Sequence, residues 1–369
     1  MHLMRLPVLA GSVAIALAFP AGAVDFNVLS LVTDDPSAHP AQITDPGLKN
    51  AWGISFGPTS PFWVSAAETG TSPLYRVDPL TQATTKLGLT VTVPGVPTGQ
   101  VFNGNAASGA FNGNLFLFAS AEGTISGWRP ALGSTAEVLM PAAPGNAYLG
   151  AAFSTLAGNS YLYAANFKSG AIDVLKGSAA APSLAGGFID PALPQGYAPF
   201  NVQNLGGTLY VAYAVPNEEG DEEVTGPGLG IVDSFDLQGN FLSRIATGGT
   251  LNAPWGLAIA PASFGAWAGA LLVGNFGDGR INAFDATTHS FLGQVTGSNG
   301  QPLEIDGLWA ITPGNDAQAG SSRLLYFSAG PDEETHGMFG VLVAVPEPGT
   351  WALMAGGLLG LGLMRRRAA

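Results

Sequence analysis

The chain has 369 residues, no cysteine, 52 Gly, 27 Pro and a formal charge of −13. The lack of cysteine excludes disulfides and thiolate metal sites, and the excess of acid makes nucleic acid and anionic lipid poor partners. So much Gly and Pro beside 47% apolar residues describes many short strands and tight turns, not helices or disorder.

Residues 1–23 read as a secretory signal peptide: a basic start at His2 and Arg5, an apolar run from Leu6 to Phe19, and the small residues Ala21, Gly22 and Ala23 at the cleavage point. The mature chain then begins near Val24, and burial alone must stabilise it.

Residues 24–344 repeat. Asn50-Ala-Trp-Gly53, Asn252-Ala-Pro-Trp-Gly256 and Asp306-Gly307-Leu-Trp309 align, with Gly104, Gly150 and the stretch Phe200 to Gln203 falling between them. The spacing predicts about six units of roughly 50 residues. Each opening strand is followed by a second apolar run such as Phe62-Trp-Val64, Leu115-Phe-Leu-Phe118 or Leu324-Leu-Tyr-Phe327. A third run often follows Gly and ends in Asp, as at Asp78, Asp236 and Asp285, and a fourth closes most units. Four antiparallel strands per unit describe a propeller blade. The last unit has three strands, and Phe26 to Val32 is available as its fourth, closing the ring and hiding its edges. The expected fold is all-β, a six-bladed propeller closed by an N-terminal strand. Seven blades remain open if Asn217 to Gly230 holds further strands, and the regular spacing argues against a sandwich array.

In such a ring the residues that begin the inner strands gather at one mouth of the central channel. These are Asn50, Asn103, Asn146, Asn201, Asn252 and Asp306, one per blade. The loops after the second strands add Glu68, Glu122, Lys168, Glu218 to Glu223, Asp278 and Asp332 to Glu334. Converging oxygens suit Ca²⁺, with Asn252 and Asp306 as ligands; the plain alternative is that Asn and Asp merely shape turns. Trp52, Trp255 and Trp309 share one repeat position, where they either stack on a sugar or pack between blades.

Two catalytic signals fail on context. Gly53-Ile-Ser55-Phe-Gly57 satisfies G-x-S-x-G, but a nucleophile elbow needs a following helix. His39, His289 and His336 show no zinc spacing; His336 beside the 332–334 acids is either a general base or a plain surface histidine.

Residues 345–369 carry Pro346, Glu347 and Pro348, an apolar stretch from Trp351 to Met364, and Arg365, Arg366 and Arg367. Fourteen residues make about 21 Å of helix, a short transmembrane segment whose arginines hold its end in the cytoplasm. A plain anchor is the alternative. The three parts in this order resemble the PEP-CTERM sorting signal. That resemblance implies an exosortase-type membrane protease as partner and an inner-membrane precursor, then a periplasmic, cell-surface or extracellular product.

The motifs Asp34-Asp-Pro-Ser-Ala-His-Pro, Asn50-Ala-Trp-Gly-Ile-Ser55, Ala253-Pro-Trp-Gly-Leu257 and Gly274-Asn-Phe-Gly-Asp-Gly279 resemble an uncharacterised family of secreted propellers that often carry this tail. There is wider similarity to NHL-type and gluconolactonase-type propellers. The resemblance implies the propeller fold and export, and it carries no agreed activity that would assign a catalytic residue. Two functions follow as expectations: a non-catalytic propeller binding matrix polysaccharide or another envelope component, and a Ca²⁺-assisted hydrolase or lactonase at the channel mouth.

Overall fold

The apolar runs become strands because each is four to nine residues long and ends at a turn-forming residue. Asp78, Asp236 and Asp285 show how: each carboxylate accepts backbone N–H groups two to four residues ahead, at 2.7 to 3.0 Å, which turns the third strand into the fourth. In the computed structural model, which describes residues 24–345, these hairpins build six antiparallel blades around one axis. The expected signal peptide and the sorting residues Pro346, Glu347, Pro348 and Arg365 to Arg367 lie outside the described residues.

The first blade comprises Ala51–Ser55, Phe62–Ala66, Thr71–Val77 and Thr84–Thr92, and the second Pro97–Phe102, Phe116–Ser120, Ile125–Trp128 and Glu137–Met140. The third has three strands, Tyr148–Leu156, Asn159–Asn166 and Ala171–Lys176. In place of a fourth, residues 177–197 cross to the fourth blade. There Phe188 packs between Tyr163 and Phe235, and Asp190 joins Asp233 in an ion pair to Arg244.

The fourth blade is Ala198–Leu205, Thr208–Pro216, Ile231–Phe235 and Phe241–Thr247, and the fifth Pro254–Ile259, Leu271–Asn275, Ile281–Phe284 and Phe291–Gln294. The loop after Pro216 adds only the short strand Glu223–Val224 to the fourth blade, and no seventh blade. The sixth is Leu308–Pro313, Leu325–Ala329 and Met338–Ala344, completed by Asp25–Thr33. That N-terminal strand runs antiparallel to Met338–Ala344, with Phe26 opposite Ala344, Leu29 opposite Val341 and Thr33 opposite Met338. The sequence expectation of ring closure by this segment therefore holds.

The inner strands approach so closely that in four of the blades one position, at Gly53, Gly99, Gly150 and Gly256, has almost no room for a side chain. A Cβ on Gly53 would meet the Thr98 carbonyl oxygen at 2.3 Å, one on Gly99 the Ala151 nitrogen at 2.5 Å, and one on Gly256 the Trp309 carbonyl oxygen at 2.7 Å. In the fourth blade the same position is Asn201, whose amide spans the gap to the Trp255 carbonyl at 2.8 Å. The repeat glycine of the second blade is thus Gly99, and the expectation of Gly104 is corrected: the Asn103-Gly104 pair follows the inner strand Pro97–Phe102 and resembles a repeat start only locally.

Candidate functional site

The residues just before the glycine layer form a plug across the channel. Trp52 and Trp309 stack at 3.7 Å, Phe276 stacks on the other side of Trp309 at 4.0 Å, and Trp255 and Phe200 meet Trp309 edge-on. All three tryptophans are buried, and this aromatic cluster, with Leu149 and Phe167, is the core between blades around the axis. The Trp309 indole donates to the Asn50 side-chain oxygen at 2.9 Å and the Trp255 indole to the Leu149 carbonyl at 2.9 Å, whereas the buried Trp52 Nε1 has no partner among the described residues.

Above the plug lies the mouth. Asn50, fully buried with φ of 44°, passes its amide to Glu334 Oε2 at 2.5 Å. Glu334 arrives on a turn in which Asp332, Glu333 and Glu334 are all left-handed, with φ of 55°, 54° and 65°. Three such residues in a row carry backbone strain. From the fourth blade the loop after Pro216 brings Glu222 and Glu223 towards the same point. Burial, with Glu334 and Glu222 alongside, pushes the Glu223 carboxyl up to about 8. Burial and the neighbouring Glu222 and Glu68 likewise raise Glu334, against the lowering effect of its bond from Asn50. Glu223 and Glu334 are thus two carboxyls at the rim whose charged forms are disfavoured, first by burial and then by neighbouring acids.

The other ring residues separate. Asn146 begins the inner strand of the third blade and is tied to Tyr148 and Asn166. Asn252 Oδ1 accepts the Gly226 N–H at 2.6 Å, and Asp306 Oδ2 accepts the Asp332 N–H at 2.9 Å; both shape loops. Asn201 sits inside its strand, one layer deeper in the channel. Asn103 follows its strand, at the opposite end from the mouth, where its amide binds the Ala110 and Asn114 carbonyls; its expected place at the mouth is corrected, because the second inner strand starts at Pro97. Among the described residues no three His, Asp or Glu side chains are gathered as a metal cluster. His336 binds Asp34 at 2.9 Å and His39 binds Asp332 at 2.8 Å, pinning the N-terminal segment to the strained turn.

At the far end the channel opens into a basin of about 290 Å³. Its rings, Phe56, Phe102 and Phe153, each stand three residues after a layer glycine: Gly53, Gly99 and Gly150. This G-x-x-F recurrence is legible in the sequence once Gly99 replaces Gly104. Ser55 lies on the inner strand Ala51–Ser55, 7% exposed, with a hydroxyl that has no hydrogen-bond partner among the described residues.

Residues 344–367 match the PEP-CTERM protein-sorting motif, so the chain is an exported protein whose membrane-anchored precursor is handled by an exosortase. Among the described residues no helix is long and apolar enough to cross a membrane. Among solved structures, one glucose dehydrogenase is 14% identical with a TM-score of 0.51, covering 82% of this chain and 97% of its own. Another is 12% identical with a TM-score of 0.50, covering 86% and 100%. These likenesses are of fold alone. Two uncharacterized proteins of Acanthamoeba polyphaga mimivirus are each 32% identical, one over 317 residues (80% of this chain, 75% of its own) and one over 323 residues (81% of each). With that identity over most of both chains, the protein belongs to the same family as these uncharacterized viral proteins.

Proposed function

We propose that the protein is a non-catalytic binding component of the cell envelope or exopolysaccharide matrix, delivered by its sorting tail and presenting the acid-rimmed mouth to its partner. The observation that supports this most is the plug: Trp309, held under Asn50, closes the axis directly below the rim, so the mouth offers a shallow face suited to an extended chain. Co-sedimentation of residues 24–344 with exopolysaccharide extracted from the producing host tests it. Retention by the parent, reduced in Glu334→Gln, is expected; a mature domain that stays in the supernatant overturns the reading.

A second reading, a Ca²⁺-assisted hydrolase or lactonase, is favoured by one feature, the carboxyls of Glu223 and Glu334 at the same mouth, each with its charge disfavoured chiefly by burial. A divalent ion offsets such charge and polarises a carbonyl. In that case chelation lowers the melting temperature and Ca²⁺ restores it as RT ln(1 + [L]/Kd). Indifference to both removes the metal and the hydrolase with it.

A further inference from the structure

The geometry points to a second binding site, at the opposite end of the channel from the acidic mouth: the basin lined by Phe56, Phe102 and Phe153 takes an uncharged, hydroxylated ring, a neutral monosaccharide unit. This goes beyond the mouth reading and does not depend on it.

Size comes first. A cavity of about 290 Å³ lies at the lower end of ligand sites, which run from roughly 300 Å³, and matches one sugar ring better than a chain. Its composition comes second. None of the side chains lining it is ionisable, although the described domain has 25 Asp and Glu against nine Lys and Arg. A charged ligand would find no counter-charge there and would lose its hydration. The three phenylalanines are half-buried and supply apolar faces from three successive blades.

The polar groups decide the rest. Gln100 is used up internally: its amide donates to the Gly53 and Trp63 carbonyls, both at 2.7 Å, and its oxygen accepts from Ser72. Asn204 is likewise bound to Phe153 O and Gly207 N. The Thr312 hydroxyl donates to the Pro313 carbonyl, which leaves the half-buried Gln203 amide facing a ligand, and behind it the Ser55 hydroxyl, enclosed in the wall and able to reach a ligand by turning about χ1. A buried hydroxyl with no partner costs free energy, and a ligand hydroxyl seated against it supplies the missing bond. Rings on apolar faces with a few fixed hydrogen bonds are what a sugar presents and needs.

Saturation-transfer NMR of residues 24–344 with D-glucose, D-galactose and D-mannose at millimolar concentration tests this, with D-glucuronate as charged comparator and Nile red as apolar comparator. Transfer to at least one neutral sugar and none to glucuronate is expected. Gln203→Ala should weaken that binding by about fivefold or more, the equivalent of one hydrogen bond. Ser55→Ala should also weaken it while leaving the melting temperature unchanged or higher, since the hydroxyl bonds nothing in the protein. No transfer to any of the three sugars, Nile red bound in their place, or sugar binding unaltered in both variants overturns the proposal.

Discussion

Asn50 and Trp309 meet across the seam between the first and last blades, the amide oxygen accepting the indole N–H at 2.9 Å. The bond joins the start of the first inner strand to the plug, and through the same amide to Glu334. It therefore couples ring closure to the shape of the mouth.

Asn50→Leu strips the Trp309 N–H of its acceptor and Glu334 of its donor in one step, and places a branched side chain at a left-handed φ. Urea unfolding should report a loss of about 1–3 kcal/mol, the cost of a buried polar group left unpaired. A loss under about 0.5 kcal/mol, the range of an ordinary surface substitution, would show that the seam does not depend on this contact.

Deletion of residues 24–33 removes the outer strand of the sixth blade and uncovers the edge of Met338–Ala344. Such an edge invites pairing between molecules. The truncated domain should aggregate or be cut rapidly by protease, whereas deletion of residues 218–222 should be tolerated, because a shortened polar loop costs little closure entropy. Limited proteolysis and light scattering distinguish the two; equal damage from both counts against closure by the N-terminal strand.

Glu223 makes stability depend on pH. Its carboxyl is raised from the ordinary 4.5 to about 8 by burial and by Glu334 and Glu222, so the native state keeps a proton that the unfolded chain releases. Stability from this group is complete below about pH 4.5 and declines as pH rises towards 8. Glu223→Gln should raise stability by about 1 kcal/mol at alkaline pH after allowing for solvent at the mouth, and change little at pH 4. Thermal melts across that range read it directly, and a variant with the parent's pH profile would place the titration elsewhere.

The tail should act through its order of parts. Replacing Arg365, Arg366 and Arg367 with Ser removes the charges that retain its end in the cytoplasm, leaving precursor unprocessed or released. Replacing Glu347 should block cleavage and leave the protein bound to the membrane. Immunoblots of fractionated host cells follow both forms; parental processing in both variants would contradict a sorting role.

Much of this architecture is written in short-range features. The apolar runs, the Asp turns at Asp78, Asp236 and Asp285, and the outer strand left over at residues 26–32 depend on neighbours a few positions apart, so the six blades and their closure follow from the chain read in order. The second blade shows where such reading fails. Asn103-Gly104 has the local appearance of a strand start, and only the packing of Gly53 against Thr98 and Gly99 sets the true register. Likewise the sequence offered one amide or carboxylate at the start of every blade, but hydrogen bonding sends Asn252 and Asp306 to local turns, while Asn201 lies deeper in the channel and Asn103 at its far end. The meeting of Asn50, Trp309, Glu334 and Glu223, and the basin of Phe56, Phe102 and Phe153, belong to the tertiary structure. Both arise from the angle at which six sheets pack around one axis, which no local pattern encodes.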